Sequence, residues 1–414
     1  MVLLLGACGA RAAEGLVIHE WGTLTSLEDE NGRALAGINY DDEPVPAFVH
    51  QVAPGLLVPG DAQAGLAKGA PASHSDVISN PFRASPEAVR AKGLPPVHPD
   101  VTVRLETPVL YIHAPAGFVG PLDISVKYPG GWLTEFYPDA KADAPGIDPK
   151  TNTIGHITPN TVGTLEWTGL KIGGDAPGPK TDARVWLAPR NVAADGVTTP
   201  SGESEKFLFY RGVGCGEPIL NIVRDPGTNT LKALPGNGLD TPLPWVLADI
   251  RADGAIAFQS VAANQSSHPF APADYSTSNI VGLRANLEDQ LTGAGLNKDE
   301  AEALLNTWQV SYFQNPGLRA FYLWPRPLVD RLLPLTVSHT AEITRVMVGR
   351  IELVTPEQRT IMARISSADP ETPALYNDLG RFRAAMLLDQ ERAHWTAALS
   401  KFMQNMSVAY YRPQ

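Results

Sequence analysis

Pro121-Leu-Asp-Ile-Ser-Val-Lys-Tyr128, then Pro129-Gly130-Gly131, then Trp132-Leu-Thr-Glu-Phe-Tyr137, is the stretch whose reading sets the fold class. Successive side chains of an extended chain point to opposite sides, so Leu122, Ile124, Val126 and Tyr128 share one face of a half-buried strand. The Pro-Gly-Gly run reverses the chain, and residues 132–137 are expected to return as the hairpin partner. Upstream, residues 101–107 alternate in the same way. Val109-Leu-Tyr-Ile-His113 then follows Pro108, whose missing N–H marks an edge, a bulge or a change of strand. Downstream, strands are read at 164–171, 183–187, 206–211 and 217–223. Asp253-Gly254 joins 245–251 to 255–261 as a hairpin. Many short strands with turn chemistry between them predict an α+β chain, its N-terminal part a mainly antiparallel, β-sandwich-like domain.

Beyond about Ser276 the apolar period lengthens. Leu283, Leu287 and Leu291 recur every four residues and end at Gly293 and Gly295. Asn297-Lys-Asp-Glu300 is an N-cap with Glu three residues later, and Ala301, Leu304, Leu305, Trp308 and Tyr312 then mark one helix face. Strands are expected near 321–324 and 344–348. Thr355-Pro356-Glu357-Gln358 opens another helix, and Leu375, Leu379, Phe382 and Met386 line a face of the helical remainder. The expected division is a β-rich domain over 14–275 and a mixed to helical C-terminal region over 276–414. Residues 60–99, rich in Ala, Pro and Ser, read as a long surface excursion.

The chain has 414 residues, 43% hydrophobic and 19% charged, an ordinary globular composition. A formal charge of −11 with no basic run argues against a nucleic-acid partner. The chain starts MVLLLGACGARAAEG, a short apolar run leading to Ala10-Arg11-Ala12, so residues 1–13 are expected to be a signal-peptide remnant. The run is far shorter than the ~20 apolar residues of a membrane span, which excludes a transmembrane reading of it. Export to the periplasm or the extracellular space follows. Leu5-Gly6-Ala7-Cys8 approximates a lipobox, so a lipoprotein anchored through Cys8 is the alternative. The other cysteine is Cys215, which leaves a mature chain without a disulfide framework.

His19-Glu20-Trp21-Gly22-Thr23 is the densest group of chemically capable side chains. Imidazole beside carboxylate is the pairing of metal ligation and of acid–base work. On a strand, however, Ile18, Glu20 and Gly22 face one way while His19 and Trp21 face the other, so the adjacent pair cannot easily share one metal. Thr23 stands where a helical H-E-x-x-H motif needs its second His. His113 shares a strand face with Val109 and Tyr111, where a half-buried, hydrogen-bonded imidazole is expected. His339 and Glu342 could meet only on a helix. Gly212-Val-Gly-Cys-Gly216 precedes another strand rather than a helix, which excludes a dinucleotide fingerprint and leaves a glycine-permitted turn with an inert Cys215. Arg326 and Asp330 read as an i,i+4 salt bridge. Trp132, Phe136, Tyr137 and Trp167, near Glu135 and Glu166, would suit sugar stacking; as rings on sandwich strands they more often form core.

The run from Val17 to Thr25, Gly130-Gly-Trp-Leu-Thr-Glu135, Phe207-Leu-Phe-Tyr-Arg-Gly212 and Leu323-Trp-Pro-Arg-Pro327 together resemble a group of uncharacterised exported bacterial proteins sharing the His-Glu-Trp-Gly-Thr segment. The likeness spans most of the chain; it implies export and one co-inherited architecture, and no activity. The functional expectation is an exported hydrolase whose site gathers His19, Glu20, Glu135 and Arg211. His19 and His113 are the candidate ligands of a divalent metal cofactor, and Arg211 would hold an anionic group. The alternative is a non-catalytic cell-envelope or carbohydrate-binding protein that presents the 132–137 hairpin face to a polysaccharide or small-molecule ligand.

Overall fold

The computed structural model describes residues 15–40, 43–52, 94, 97–151, 153–367 and 372–405. The expected signal segment and most of the excursion at 60–99 lie outside them. The architecture is mixed α and β, built on one large, mostly antiparallel sheet. Its principal strands are β1 (Leu16–Glu28), β2 (Val103–His113), β3 (Leu122–Pro129), β4 (Gly131–Tyr137), β5 (Val162–Ile172), β6 (Leu208–Gly214), β7 (Trp245–Ile250), β8 (Ile256–Val261), β9 (Gly317–Leu323), β10 (Leu335–Val337) and β11 (Ala341–Leu353). Across the sheet they run β5–β4–β6–β2–β1–β11–β9–β7–β8.

The innermost strand is β1, thirteen residues buried almost throughout. Its full length pairs in parallel with β11, and it pairs antiparallel with β2. The sheet therefore crosses the 275/276 boundary, since β9 and β11 lie in it beside β1. Between Trp21 and Thr23 the β1–β2 register shifts, so that Thr107 and Pro108 of β2 oppose the single Gly22 of β1. Pro108 thus sits at a bulge inside a central strand, and Thr107 takes the left-handed backbone, φ 45°, that such an extra residue imposes. A Cβ on Gly22 would stand 3.1 Å from the Pro108 Cα, so a larger residue would have to push the bulged strand back by a few tenths of an ångström.

Helices cover the face of the sheet that carries Trp21. At one end α2 (Asn279–Gly293), α3 (Lys298–Thr307) and α4 (Gln309–Phe313) bury Leu283, Leu287, Leu304, Trp308 and Tyr312 against Trp21, Tyr111, Val346 and Val348. At the other, α6 (Pro356–Ser366), α7 (Thr372–Asp378), α8 (Arg383–Ala393) and α9 (Ala397–Asn405) pack on Leu27, Trp132 and Val213. The capping box expected at Thr355 forms in full, and at Asn297 the return half forms, the Glu300 carboxylate accepting the Asn297 N–H. On the opposite face, Leu122, Ile124 and Val126 of β3 share a core with Leu105, Leu110, Ile112, Leu133 and Trp167. No helix among the described residues is long and apolar enough to cross a membrane.

Two local expectations are corrected. The turn at Gly130 forms, with φ 78°, but β3 and β4 are not a hairpin: β3 pairs with β5 and β10, and β4 with β6. Every residue of β4 is buried whereas β3 alternates between buried and exposed or half-buried, so β4 enters the covered middle of the sheet and β3 keeps one open face. Residues Arg184–Leu187 form a short helix, α1, instead of a strand. Its alternation was too brief to set a period, and Trp186 reaches its core position from a helical turn as well as from a strand. The rings of Trp132, Phe136, Tyr137 and Trp167 are all buried, so they build core and offer no stacking face. The 245–261 hairpin closes at Gly254, φ 82°, as expected.

Candidate metal centre

His19 lies opposite Tyr111 of β2 and Thr344 of β11, and His113 lies opposite Val17. The two histidines are therefore diagonal neighbours on one face of an antiparallel pair, near enough for side chains to touch. Their rings stand edge to face, 5.3 Å between centroids. A third element completes the group. α3 starts at the Asn297 cap and drives Ala301, Leu304, Leu305 and Trp308 into the core beside Trp21 and Tyr111. That packing lowers its third residue, Glu300, onto the two imidazoles.

The carboxylate of Glu300 accepts from His19 Nδ1, at 2.8 Å to Oε2 and 3.0 Å to Oε1, and from His113 Nε2 at 3.3 Å. The Asn297 backbone N–H donates to the same Oε2 at 2.8 Å. Burial by itself would raise the pKa of Glu300. The hydrogen bonds from His113 and His19, the charge of His19 and the Asn297 N–H outweigh burial and bring it down to about 2. Glu300 is thus an anion held in the wall of the fold.

One donor atom from each of His19, His113 and Glu300 can be chosen so that all three lie within 4.8 Å of one another. A tetrahedral ion about 2.0–2.2 Å from each ligand needs neighbouring donors roughly 3.3–3.5 Å apart. The observed separations to Glu300 are close to that, so two imidazoles and a carboxylate could take a zinc-like ion with small adjustments. The side chain of Glu300 is fully buried, while those of His19 and His113 are 11% and 21% exposed. Access is on the histidine side.

The other candidates sit elsewhere. Glu20, on the opposite face of β1, is fully buried, pairs with Arg345 and accepts from the Tyr210 hydroxyl. Glu135 and Arg211 oppose each other on β4 and β6, buried and 3.6 Å apart. Arg211 also donates to the Glu43 carbonyl and to Thr107 at the bulge. Counted along β2 from Tyr111, beside His19, to Thr107, that position is roughly 13 Å away at about 3.3 Å per residue. The expected foursome is not one site. Cys215 is half-buried, and burial, then Asp100, push its thiol pKa up, which suits an inert group. Arg326 and Asp330 pair on α5 (Arg326–Leu332) at 2.8 Å. His339 precedes a strand, so it gains no helical alignment with Glu342.

The residue that sequence reasoning missed is Glu300. Its position three residues after Asn297 announced a helix start, and a capping role alone accounts for a glutamate there. The missing signal was long-range, 281 residues from His19. No protein-family model matches the chain, and no curated protein is similar to it.

Proposed function

We propose that this is an extracytoplasmic, metal-dependent hydrolase, with a divalent ion of the zinc type held by His19, His113 and Glu300. The observation that carries the reading is the donor set: two imidazole nitrogens and one carboxylate converge where only the histidine side meets solvent. Structural zinc sites close with four protein ligands, whereas catalytic ones keep three and leave a position for water. A bound ion would acidify that water and supply the nucleophile for hydrolysis. Nitrogen donors favour zinc and its transition-metal neighbours over magnesium or calcium. Glu20, Glu135 and Arg211, far from the ion or across the sheet, fall outside this machinery. Export rests on the N-terminal sequence. The finer architectural expectation, a mainly antiparallel, sandwich-like domain over 14–275, belongs to the same proposal and is supported by the core that Leu122 and Ile124 share with Leu105 and Leu110.

The test is metal analysis and zinc titration of the stripped, purified chain, followed by assays on ester, phosphodiester and glycoside substrates. One zinc per chain is expected. His113→Ala and Glu300→Gln should weaken binding at least 100-fold, since outer-shell changes alone typically cost 10–100-fold. His50→Ala, at a histidine paired with Glu203 elsewhere, should leave it unchanged. A folded chain that takes up no zinc would reduce Glu300 to a capping residue with two imidazole donors. Stoichiometric zinc without turnover on any substrate class would remove the hydrolase.

A further inference from the structure

Glu300 has two jobs. It accepts the Asn297 N–H at the start of α3, and it accepts from both histidines of the sheet. We infer that the ion bound there is the clasp of the α2–α3 layer, so that metal occupancy sets how firmly these helices stay docked on β1 and β2. The inference rests on the reading that His19, His113 and Glu300 bind a metal.

The surroundings make the coupling specific. Asp299, next in the helix, accepts the Ala193 N–H at 2.9 Å, and Asp195 accepts the Ala114 N–H, beside His113, at 2.8 Å. The short 193–195 segment therefore ties the start of α3 to the end of β2. A Cβ on Gly295, in the link between α2 and α3, would stand 3.2 Å from Thr344, the β11 partner of His19. Lifting α3 away from the sheet would separate the ligands and destroy the site. A metal that binds only the docked state must then suppress the lifted state by mass action, by the factor 1 + [metal]/Kd.

α6 is the internal control. It starts with the same return bond, the Gln358 side chain accepting the Thr355 N–H as Glu300 accepts that of Asn297, but among the described residues no histidine bonds to this glutamine; its side-chain amide donates to the Leu379 carbonyl. Hydrogen exchange of the full-length chain, with and without zinc at 100 times its Kd, reads both helices at once. Amides of α3 are expected to exchange about 100-fold more slowly with zinc, and those of α6 to be unchanged. Asp299→Ala keeps all three ligands and removes the tie of α3 to the Ala193 N–H. It should speed α3 exchange in the stripped protein and be rescued by zinc. Zinc bound at one per chain with unaltered α3 exchange would overturn the clasp and leave the metal site standing. Equal slowing in α3 and α6 would also overturn it, because the effect would then be global. Failure of zinc to bind by titration would overturn the metal reading, and the clasp with it.

Discussion

His19 and Glu20 are neighbours in sequence and end in two different chemical regions of the molecule. On the helix-covered face, His19 meets His113 and Glu300 in a group that keeps partial contact with water. On the other face, Glu20 is sealed with Arg345, whose guanidinium also binds the Leu333 carbonyl at 2.6 Å and Asp330 at 3.0 Å. Burial tends to lower the pKa of Arg345, but the charges of Glu20 and Tyr210 and its bonds to Glu20 and Asp330 raise it. The comparison separates two uses of a carboxylate. Glu20 has its own permanent cation and no route to solvent, so it can hold structure but cannot exchange a ligand. Glu300 is an anion beside two imidazoles, and a metal can draw on the nitrogen lone pairs of these rings together with the carboxylate.

The comparison breaks most forcefully at Glu20. Glu20→Gln leaves the buried Arg345 with only the half-exposed Asp330 as counter-charge, and removing one partner of a buried pair costs about 3–5 kcal/mol. Urea denaturation should show that loss, while zinc affinity of the folded fraction stays within about twofold, the window in which independent sites add. Replacing both partners by apolar residues, Glu20→Leu with Arg345→Met, should recover much of the loss. If zinc affinity fell in step with stability, the two faces of β1 would form one functional unit and the distinction would be lost.

Much of this contrast was legible in the sequence. Period-two alternation along residues 17–21 already put His19 and Glu20 on opposite faces, and the Val109, Tyr111, His113 series put His113 on a defined strand face. Register was not legible. Nothing local says that β1 lies antiparallel to β2 with His19 opposite Tyr111, or parallel to β11 across more than 300 residues. The β3–β4 hairpin failed for a related reason: a Pro-Gly-Gly turn reverses the chain but does not choose the partner, and the continuous burial of β4 required strands on both sides. Helix starts, by contrast, are local devices, and both were readable, at Asn297 and at Thr355. What a cap cannot say is which buried groups its glutamate will meet once the helix docks.

Glu28 sharpens the comparison with a third carboxylate, again on β1 and buried, but with no cation paired to it among the described residues. Its Oε2 accepts the Ile222 N–H at 2.8 Å, and its Oε1 has no hydrogen-bond partner among the described residues. Burial pushes its pKa well above the usual 4.5; the Ile222 bond opposes this, and Asp29 and Glu217 add to the rise. Below the unfolded pKa the group is protonated in both states. Above it, the unfolded chain loses the proton while the folded chain keeps it up to the raised value, so stability falls as pH rises through that window. Glu28→Gln should remove this slope and stabilise the protein at neutral pH, on the order of 1–3 kcal/mol. Denaturation midpoints from pH 4 to 8 decide it. A variant less stable than the parent at pH 7 would mean that the carboxylate is ionised and compensated in the fold.

The smallest effect is the most discriminating for the two helical layers. Thr355 Oγ1 accepts the Gln358 N–H at 3.2 Å, and the Gln358 side chain returns the bond to the Thr355 N–H at 3.0 Å. Thr355→Ala should cost about 1 kcal/mol, the usual worth of a lost N-cap, whether or not zinc is present. Asp299→Ala removes a comparable single bond at the start of α3, its acceptance of the Ala193 N–H, yet Glu300 would still be pinned by its metal. Its cost should therefore be about 1 kcal/mol in the stripped protein and smaller once zinc is bound. Thermal denaturation of the two variants, each with and without zinc, measures the difference directly. Equal zinc dependence in both would show that the ion steadies the sheet as a whole, and that the cap carrying Glu300 differs from the one carrying Gln358 only in its sequence.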